Sequence, residues 1–201
     1  MSEMVLTDGF YRDMKKRLKG RVSPERYEHA KSVAATAVRI AQAYGVDERK
    51  ARLAGLVHDW DKDYSDAEIR LRVAELGVAV DAEMLESMPR MLHGPTGAVA
   101  LGREFPDIGE DILQAVSRHT FGALDMSDLD MVVYVADLVE PKRTRRAMGA
   151  MYDAVGTVSL EELFFATYRQ VLASLIERTM PIHPDTVRIW NHAITKRKGT
   201  S

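Results

Sequence analysis

Six residues in this chain could bind a metal through nitrogen and oxygen: His29, His58, Asp59, His93, His119 and Asp137. Imidazole and carboxylate are the donors that hold divalent transition metals, and the adjacent His58-Asp59 pair sets one of each side by side. That pair closes the apolar run Ala54-Gly55-Leu56-Val57, so both polar side chains stand where a buried wall meets a polar opening. The other four lie inside or beside separate amphipathic patterns. The chemistry that such a set points to is metal-dependent hydrolysis of a phosphate ester.

Each residue has a plainer reading when taken alone. His29 could be a helix-edge histidine with a structural hydrogen bond, and His58-Asp59 a solvated helix end. His93 could cap a helix, and His119 could pair with a C-terminal helix dipole. Asp137 is harder to set aside, because it stands mid-helix between Ala136 and Leu138. A carboxylate buried there costs several kcal/mol unless it is paired or coordinated. Arg143 or Arg145 could supply the pairing. If a bundle brings the six together, one shared cluster accounts for all of them.

The elements that must position these residues are helical nearly throughout. Apolar residues recur at three- and four-residue spacing while strand-length alternation is scarce, which predicts an all-α fold. Residues 6–19 read as a short amphipathic helix stopped at Gly20. Ser23 and Pro24 then supply an N-cap and a first-turn proline for a longer helix that runs to Tyr44 and ends at Gly45. Its inward stripe is Tyr27, Ala30, Ala34, Ala37, Ala41 and Tyr44, whose small members let a neighbour come close, and His29 sits at its edge. Asp47 caps the next helix, which turns Leu53, Leu56 and Val57 inward and delivers His58 and Asp59 at its end. Ser65 opens a helix to Gly77, and Asp81 begins a short one that stops before Pro89. This middle section reads as solvated helices around a cleft. His93 starts a helix through Val99 and Leu101. Ile112, Leu113 and Val116 stripe another, which ends at His119. Ser127 caps the helix carrying Met131, Val132, Val135, Ala136, Asp137 and Leu138. Patterns over 160–176 and 184–194 complete the bundle. The expected division is an N-terminal helix over 1–22, one helical domain over 23–194 and a mobile basic tail over 195–201.

The 201 residues suit one domain with at most a small appendage, and 46% hydrophobic with 29% charged residues is ordinary for a globular chain. A net charge of −2 argues against nucleic acid or an anionic membrane as partner. The absence of cysteine removes disulfides, iron–sulfur clusters and thiolate zinc sites, so any metal must be held by nitrogen and oxygen. No apolar core of signal-peptide length opens the chain, and no run approaches the roughly 18 apolar residues of a membrane span. A cytoplasmic location is expected.

The order histidine, His-Asp, two spaced histidines and aspartate resembles the HD superfamily of metal-dependent phosphohydrolases. Within it the chain is most similar to the YqeK family of symmetrical bis(5'-nucleosyl)-tetraphosphatases. The resemblance rests on Arg26-Tyr27-Glu28-His29, Ala54-Gly55-Leu56-Val57-His58-Asp59, Leu92-His93-Gly94, His119-Thr120, Tyr134-Val135-Ala136-Asp137, Glu140-Pro141 and Ile182-His183-Pro184. It implies an all-α HD bundle around a dinuclear metal site. One ion would be held by His29, His58, Asp59 and Asp137; the second would share Asp59 and add His93 and His119. The implied cofactor is a pair of irons, although manganese or zinc could take the same ligands. The implied reaction is cleavage of diadenosine tetraphosphate to two ADP by a hydroxide held between the ions. Lys62 and Arg26 would steady phosphate oxygens, and Lys62 or Asp63 would protonate or neutralise the leaving group. Thr120 and Arg143 would add phosphate contacts, and His183 would belong to a segment closing the pocket. The plainer reading of Lys142, Arg143, Arg145 and Arg146 is a solvated basic face, favoured for at least two of them, and His192 reads as surface. A monomer and a homodimer both stay open.

Two departures from the family pattern stand out. After the doublet the family runs like Ile-Ala-Lys, whereas Trp60-Asp61-Lys62 keeps the lysine but adds bulk and an acid. After His119-Thr120 it runs like Thr-Gly-Arg, whereas Phe121-Gly122-Ala123 loses the arginine and offers a ring that could stack on a base. Other HD hydrolases fit less well. Alarmone hydrolases resemble HD followed two residues later by Glu-Asp, and cyclic-dinucleotide enzymes carry Gly-Tyr-Pro, neither of which occurs here. A helical module that binds nucleotide without turnover is the remaining alternative.

Overall fold

Side-chain caps set where most of the helices begin. Thr7 accepts the Phe10 N–H ahead of α1 (Asp8–Arg21), and Ser23 accepts that of Arg26 ahead of α2 (Pro24–Tyr44). Asp47 caps α3 (Glu48–Val57), and Ser65 with Glu68 forms a capping box on α4 (Asp66–Leu76). Asp81 caps α5 (Ala82–Ser87), after which a 3-10 turn, Pro89–Leu92, leads into α6 (His93–Glu104). Then come α7 (Glu110–Arg118), α8 (Asp128–Val139), α9 (Arg146–Asp153), α10 (Leu160–Glu177) and α11 (Pro184–Lys198). Gly45 and Gly77, at φ 70° and 60°, take the left-handed conformation that ends α2 and α4. The computed structural model describes residues 6–142 and 146–198, and among them every regular element is helical. No helix among the described residues is long and apolar enough to cross a membrane.

The bundle is built around α8, which packs against α2, α3, α7, α9 and α10. Leu129, Val132, Val133, Tyr134, Val135 and Ala136 are all buried, so no face of its middle turns meets water. A helix that is apolar all round is stable only with neighbours on every side. Asp137, one residue beyond this stretch, is therefore held by a backbone with little freedom to move. The other main contact is α2 against α3, and it is as close as the small residues suggest. A Cβ added to Gly55 would lie 3.1 Å from the Ala34 Cα and 3.2 Å from the Ala37 Cβ. This approach fixes the end of α3, and with it His58 and Asp59, against His29 on α2.

Two boundaries and one element differ from the expectation. The first helix does not stop at Gly20 but runs to Arg21, because Arg21 is tied down by tertiary partners that outweigh a single glycine. Its Nε donates to the Trp60 carbonyl at 2.7 Å, and Nη2 donates to Asp61 at 2.7 Å. The last helix continues past Ile194 through Lys198, while residues 199–201 of the expected tail lie outside the described residues. Helix α9 was not anticipated, because the basic sequence leading into it reads as solvated surface. The middle section has a small core of its own, formed by Ile69, Val73, Met84 and Leu92.

Trp60 and Asp61 owe their identity to this packing. Trp60 is 2% exposed, lies edge-on to Phe105 and carries the Arg21 guanidinium over its ring at 4.8 Å. Asp61 is 1% exposed and accepts from Arg21 on α1 and from Arg72 on α4, at 2.7 Å each. The added bulk and acid thus join α1 and α4 to the end of α3. Removing one member of a buried pair leaves its partners' charge uncompensated. Asp61→Asn should therefore lower stability by about 3 kcal/mol, the low end for such pairs because both arginines keep some solvent contact. Urea unfolding of the variant checks this, and a midpoint equal to the native one would show the network to be idle.

Candidate metal centre

His58 follows the last residue of α3, His93 opens α6 and His119 follows the last residue of α7. All three use the same local device. The Nδ1 of each bonds the carbonyl three residues earlier: His58 to Gly55 at 2.8 Å, His93 to Arg90 at 2.7 Å and His119 to Val116 at 2.6 Å. A carbonyl only accepts, so each Nδ1 must carry the hydrogen, and each Nε2 of a neutral ring presents a lone pair. His29 is different. Its Nδ1 lies 3.2 Å from a carboxylate oxygen of Glu140, which is 2% exposed.

The six side chains meet. Asp59 stands between two histidine pairs, one on each oxygen. Its Oδ1 is 3.0 Å from His93 Nε2 and 3.6 Å from His119 Nε2. Its Oδ2 is 3.4 Å from His58 Nε2 and 3.8 Å from His29 Nε2. Asp137 joins the second pair, its Oδ1 lying 3.0 Å from His29 Nε2 and 3.6 Å from His58 Nε2. Two sets, His29/His58/Asp137 and His58/Asp59/His119, each offer donor atoms that all lie within 4.8 Å of one another.

This donor set fits divalent cations. The Nε2 atoms of His29 and His58 are buried and have no hydrogen-bond partner. Those of His93 and His119 face each other at 3.0 Å. Lone pairs converging on one another and on carboxylate oxygens repel unless positive charge sits among them. Protons partly meet that need in the metal-free protein. Burial favours neutral His58, but Asp59 and Asp137 outweigh it and push its pKa up to about 10. Asp59 is likewise buried, which favours its protonated form, yet the surrounding histidines hold its pKa well below the usual carboxylate value. Burial, reinforced by neighbouring His58 and His93, takes His119 down to about 4.

At pH 7 His58 lies below its folded pKa and carries an extra proton, whereas His119 lies above its own and is neutral. A ligand must be unprotonated to bind, so metal uptake should release about one proton from His58. Apparent affinity should then rise roughly tenfold per pH unit between pH 7 and 9. Calorimetric titration with manganese in buffers of different ionisation heats measures the release. No proton released at pH 7 would show that His58 stays out of the coordination.

The remaining expected residues fall into groups. Lys62 Nζ is 3.4 Å from His93 Nε2, at the edge of the cluster. Arg26 Nη1 donates to Asp59 Oδ2 at 2.8 Å, so its nearest anion is the shared carboxylate. Asp63 is exposed and accepts the Ser23 N–H at 2.5 Å, which engages it at the start of α2. Thr120 and His183 line a cavity of about 350 Å³ together with Phe121, Tyr134, Tyr168 and Met180. His183 Nδ1 accepts the Asp185 N–H, which leaves a hydrogen on Nε2. That Nε2 and the Thr120 Oγ1 are buried without a partner. Arg143 and Arg145 lie outside the described residues, and His192 is exposed as expected.

Comparison with known proteins is decisive on family. The HD domain model matches residues 26–142, which spans the whole cluster. The chain belongs to the HD-domain family. The HD-domain relatives of known name include two symmetrical bis(5'-nucleosyl)-tetraphosphatases. That of Bacillus subtilis is 30% identical over 89% of this chain and 94% of its own length. That of Halalkalibacterium halodurans is 30% identical over 90% of this chain and 95% of its own. A crystal structure from Clostridium acetobutylicum, described as an HD superfamily hydrolase involved in NAD metabolism, superposes with a TM-score of 0.85. It shares 28% identity and covers 92% of this chain and 97% of its own.

Sequence reading gave no structural role to three acids that are buried in this HD protein: Asp61, Asp130 and Glu140. Asp130 accepts from Gln114 and Arg118 at 2.9 Å each and tethers the α7–α8 connection just after His119. Capping-box spacing behind Ser127 was the available signal for Asp130. Glu140 next to Pro141 was visible only as part of the family likeness.

Proposed function

We propose that this chain hydrolyses diadenosine tetraphosphate symmetrically to two ADP, using a pair of divalent metal ions, iron in the working enzyme. The observation that carries the reading is Asp59, whose two oxygens each face a separate histidine pair. The activity named for the Bacillus and Halalkalibacterium relatives supports the substrate. His29, His58, Asp59 and Asp137 would hold one ion, and Asp59, His93 and His119 the other. Such a pair supplies positive charge that offsets phosphate repulsion and makes water nucleophilic near neutral pH.

The chain's own groups do the rest. Lys62, beside His93, steadies the phosphate oxygens and neutralises the charge that grows on the departing ADP. We assign this to Lys62 rather than Asp63, because the Asp63 carboxylate is engaged by the Ser23 N–H. Arg26 restrains Asp59 and offers its remaining donors to phosphate. The cavity beside Thr120 falls in the size range of small-ligand sites and receives a nucleoside. Phe121 and Tyr168 supply its flat walls, the His183 Nε2–H donates into it, and the Thr120 hydroxyl meets the ligand where the cavity approaches His119. Arg143 is assigned a phosphate contact by family likeness alone.

The test is an anaerobic assay of iron-reconstituted protein against dinucleoside polyphosphates. ADP as sole product from the tetraphosphate is expected. ATP plus AMP, or turnover confined to other phosphate esters, would replace the symmetrical reaction with another HD hydrolase activity. Tight binding with no product would make the chain a nucleotide-binding module.

A further inference from the structure

Among the four clustered histidines, His29 alone bonds a side chain through Nδ1, and that partner does nothing in the reaction proposed above. Glu140 is 2% exposed and held from three sides. One oxygen faces His29 Nδ1 at 3.2 Å; the other accepts the Ser32 hydroxyl at 2.6 Å and the Lys142 N–H at 2.9 Å. Its backbone N–H donates to the Ala136 carbonyl at 3.2 Å, which caps α8 after Val139, in the turn that carries Asp137. A buried carboxylate costs free energy unless its oxygens are satisfied, and all of its partners here are donors.

We infer that Glu140 is a positioning residue that sets the aim and tautomer of His29, and through it selectively strengthens the His29/His58/Asp137 half of the metal centre. An acceptor at Nδ1 fixes the hydrogen there and leaves the Nε2 lone pair facing Asp137 Oδ1. A charged acceptor also makes that lone pair a stronger donor than a carbonyl would. The other three rings take their aim from carbonyls of their own segments. His29 lies inside α2, in its second turn, where the carbonyls are already committed to the helix. It needs an outside acceptor, and Glu140 reaches it from the end of the helix that carries Asp137. One carboxylate thereby registers α2 against α8 at the site where both contribute donors.

This inference rests on the dinuclear reading, and its test keeps the two apart. Native protein, Glu140→Gln, Glu140→Ala and Ser32→Ala are stripped of metal and titrated with manganese, bound ions being counted by calorimetry and electron paramagnetic resonance. Circular dichroism monitors folding. Two ions should bind to native protein and to Ser32→Ala. In Glu140→Ala one of the two ions, the same one that Asp137→Asn weakens, should lose about ten- to a hundredfold in affinity while the other keeps its own. Glu140→Gln retains an acceptor without the charge and should fall between, which supplies the readout if the alanine variant does not fold. Native affinity for both ions in folded Glu140→Gln and Glu140→Ala would overturn the inference and leave the dinuclear site standing. Equal weakening of both ions would also overturn it, by showing a general loss of structure. Native protein that binds no manganese would remove the metal centre itself, and Glu140's role with it.

Discussion

Asp59→Asn should lower turnover of the dinucleoside tetraphosphate by roughly a thousandfold or more, while the protein stays folded. Asparagine has one oxygen and no charge, so it cannot serve the His29/His58 pair and the His93/His119 pair together. In the native protein those pairs sit 3.4 to 3.8 Å and 3.0 to 3.6 Å from separate oxygens of Asp59. Metal charge at a phosphoryl centre contributes several kcal/mol to the transition state, and each 1.36 kcal/mol is about tenfold in rate. Metal content measured beside the rate should fall below two ions per chain. Asp137→Asn offers the contrast, since the Asp137 carboxylate meets His29 and His58, the pair on one oxygen of Asp59. It should retain one tightly held ion. Native metal content and native rates in Asp59→Asn would remove the shared carboxylate from the chemistry.

Lys62→Met should leave both ions in place and lower kcat by about a hundredfold, the scale for losing one group that stabilises developing charge. Methionine keeps most of the side-chain volume, so packing around His93 should survive. The ammonium lies 3.4 Å from His93 Nε2, close enough to meet a phosphate held at that side of the cluster. If Lys62 only bound substrate in its ground state, KM would rise and kcat would hold. A fall in kcat with little change in KM identifies charge stabilisation in the transition state. Steady-state kinetics on protein of verified metal content separates these outcomes. Unchanged values of both constants would leave the leaving group without an assigned partner and return attention to Asp63.

Much of this architecture could be read from neighbouring residues, because caps and glycine stops are local chemistry. Ser23-Pro24, Gly45, Asp47, Ser65, Gly77, Asp81 and Ser127 each sit where their types predict. The small residues of α2 likewise foretold the closeness of Gly55 to Ala34. What stayed hidden depends on contacts between distant segments. Nothing near Asp61 announces that Arg21 and Arg72 enclose it, and nothing near Glu140 announces His29, 111 residues away. The run through Gly20 has the same origin, since Arg21 gains partners that no local pattern contains. For the cluster itself, residue types named the candidates and the family likeness named their grouping. Only the folded chain gives the distances. The cavity beside Thr120 and His183 had no local signature, because six separate stretches of chain contribute to its wall.

Because His58, His93 and His119 each take their aim from a carbonyl three positions upstream, each carries its own alignment in a four-residue cassette. The connections between cassettes are thereby relieved of steering the imidazoles and have only to keep the helix ends in place. Lengthening the turn between α4 and α5, or the one between α7 and α8, would reshape the substrate's surroundings without rotating a single ring. A lineage built this way can trade one nucleotide for another through its loops while the ionic heart of the molecule stays as it is.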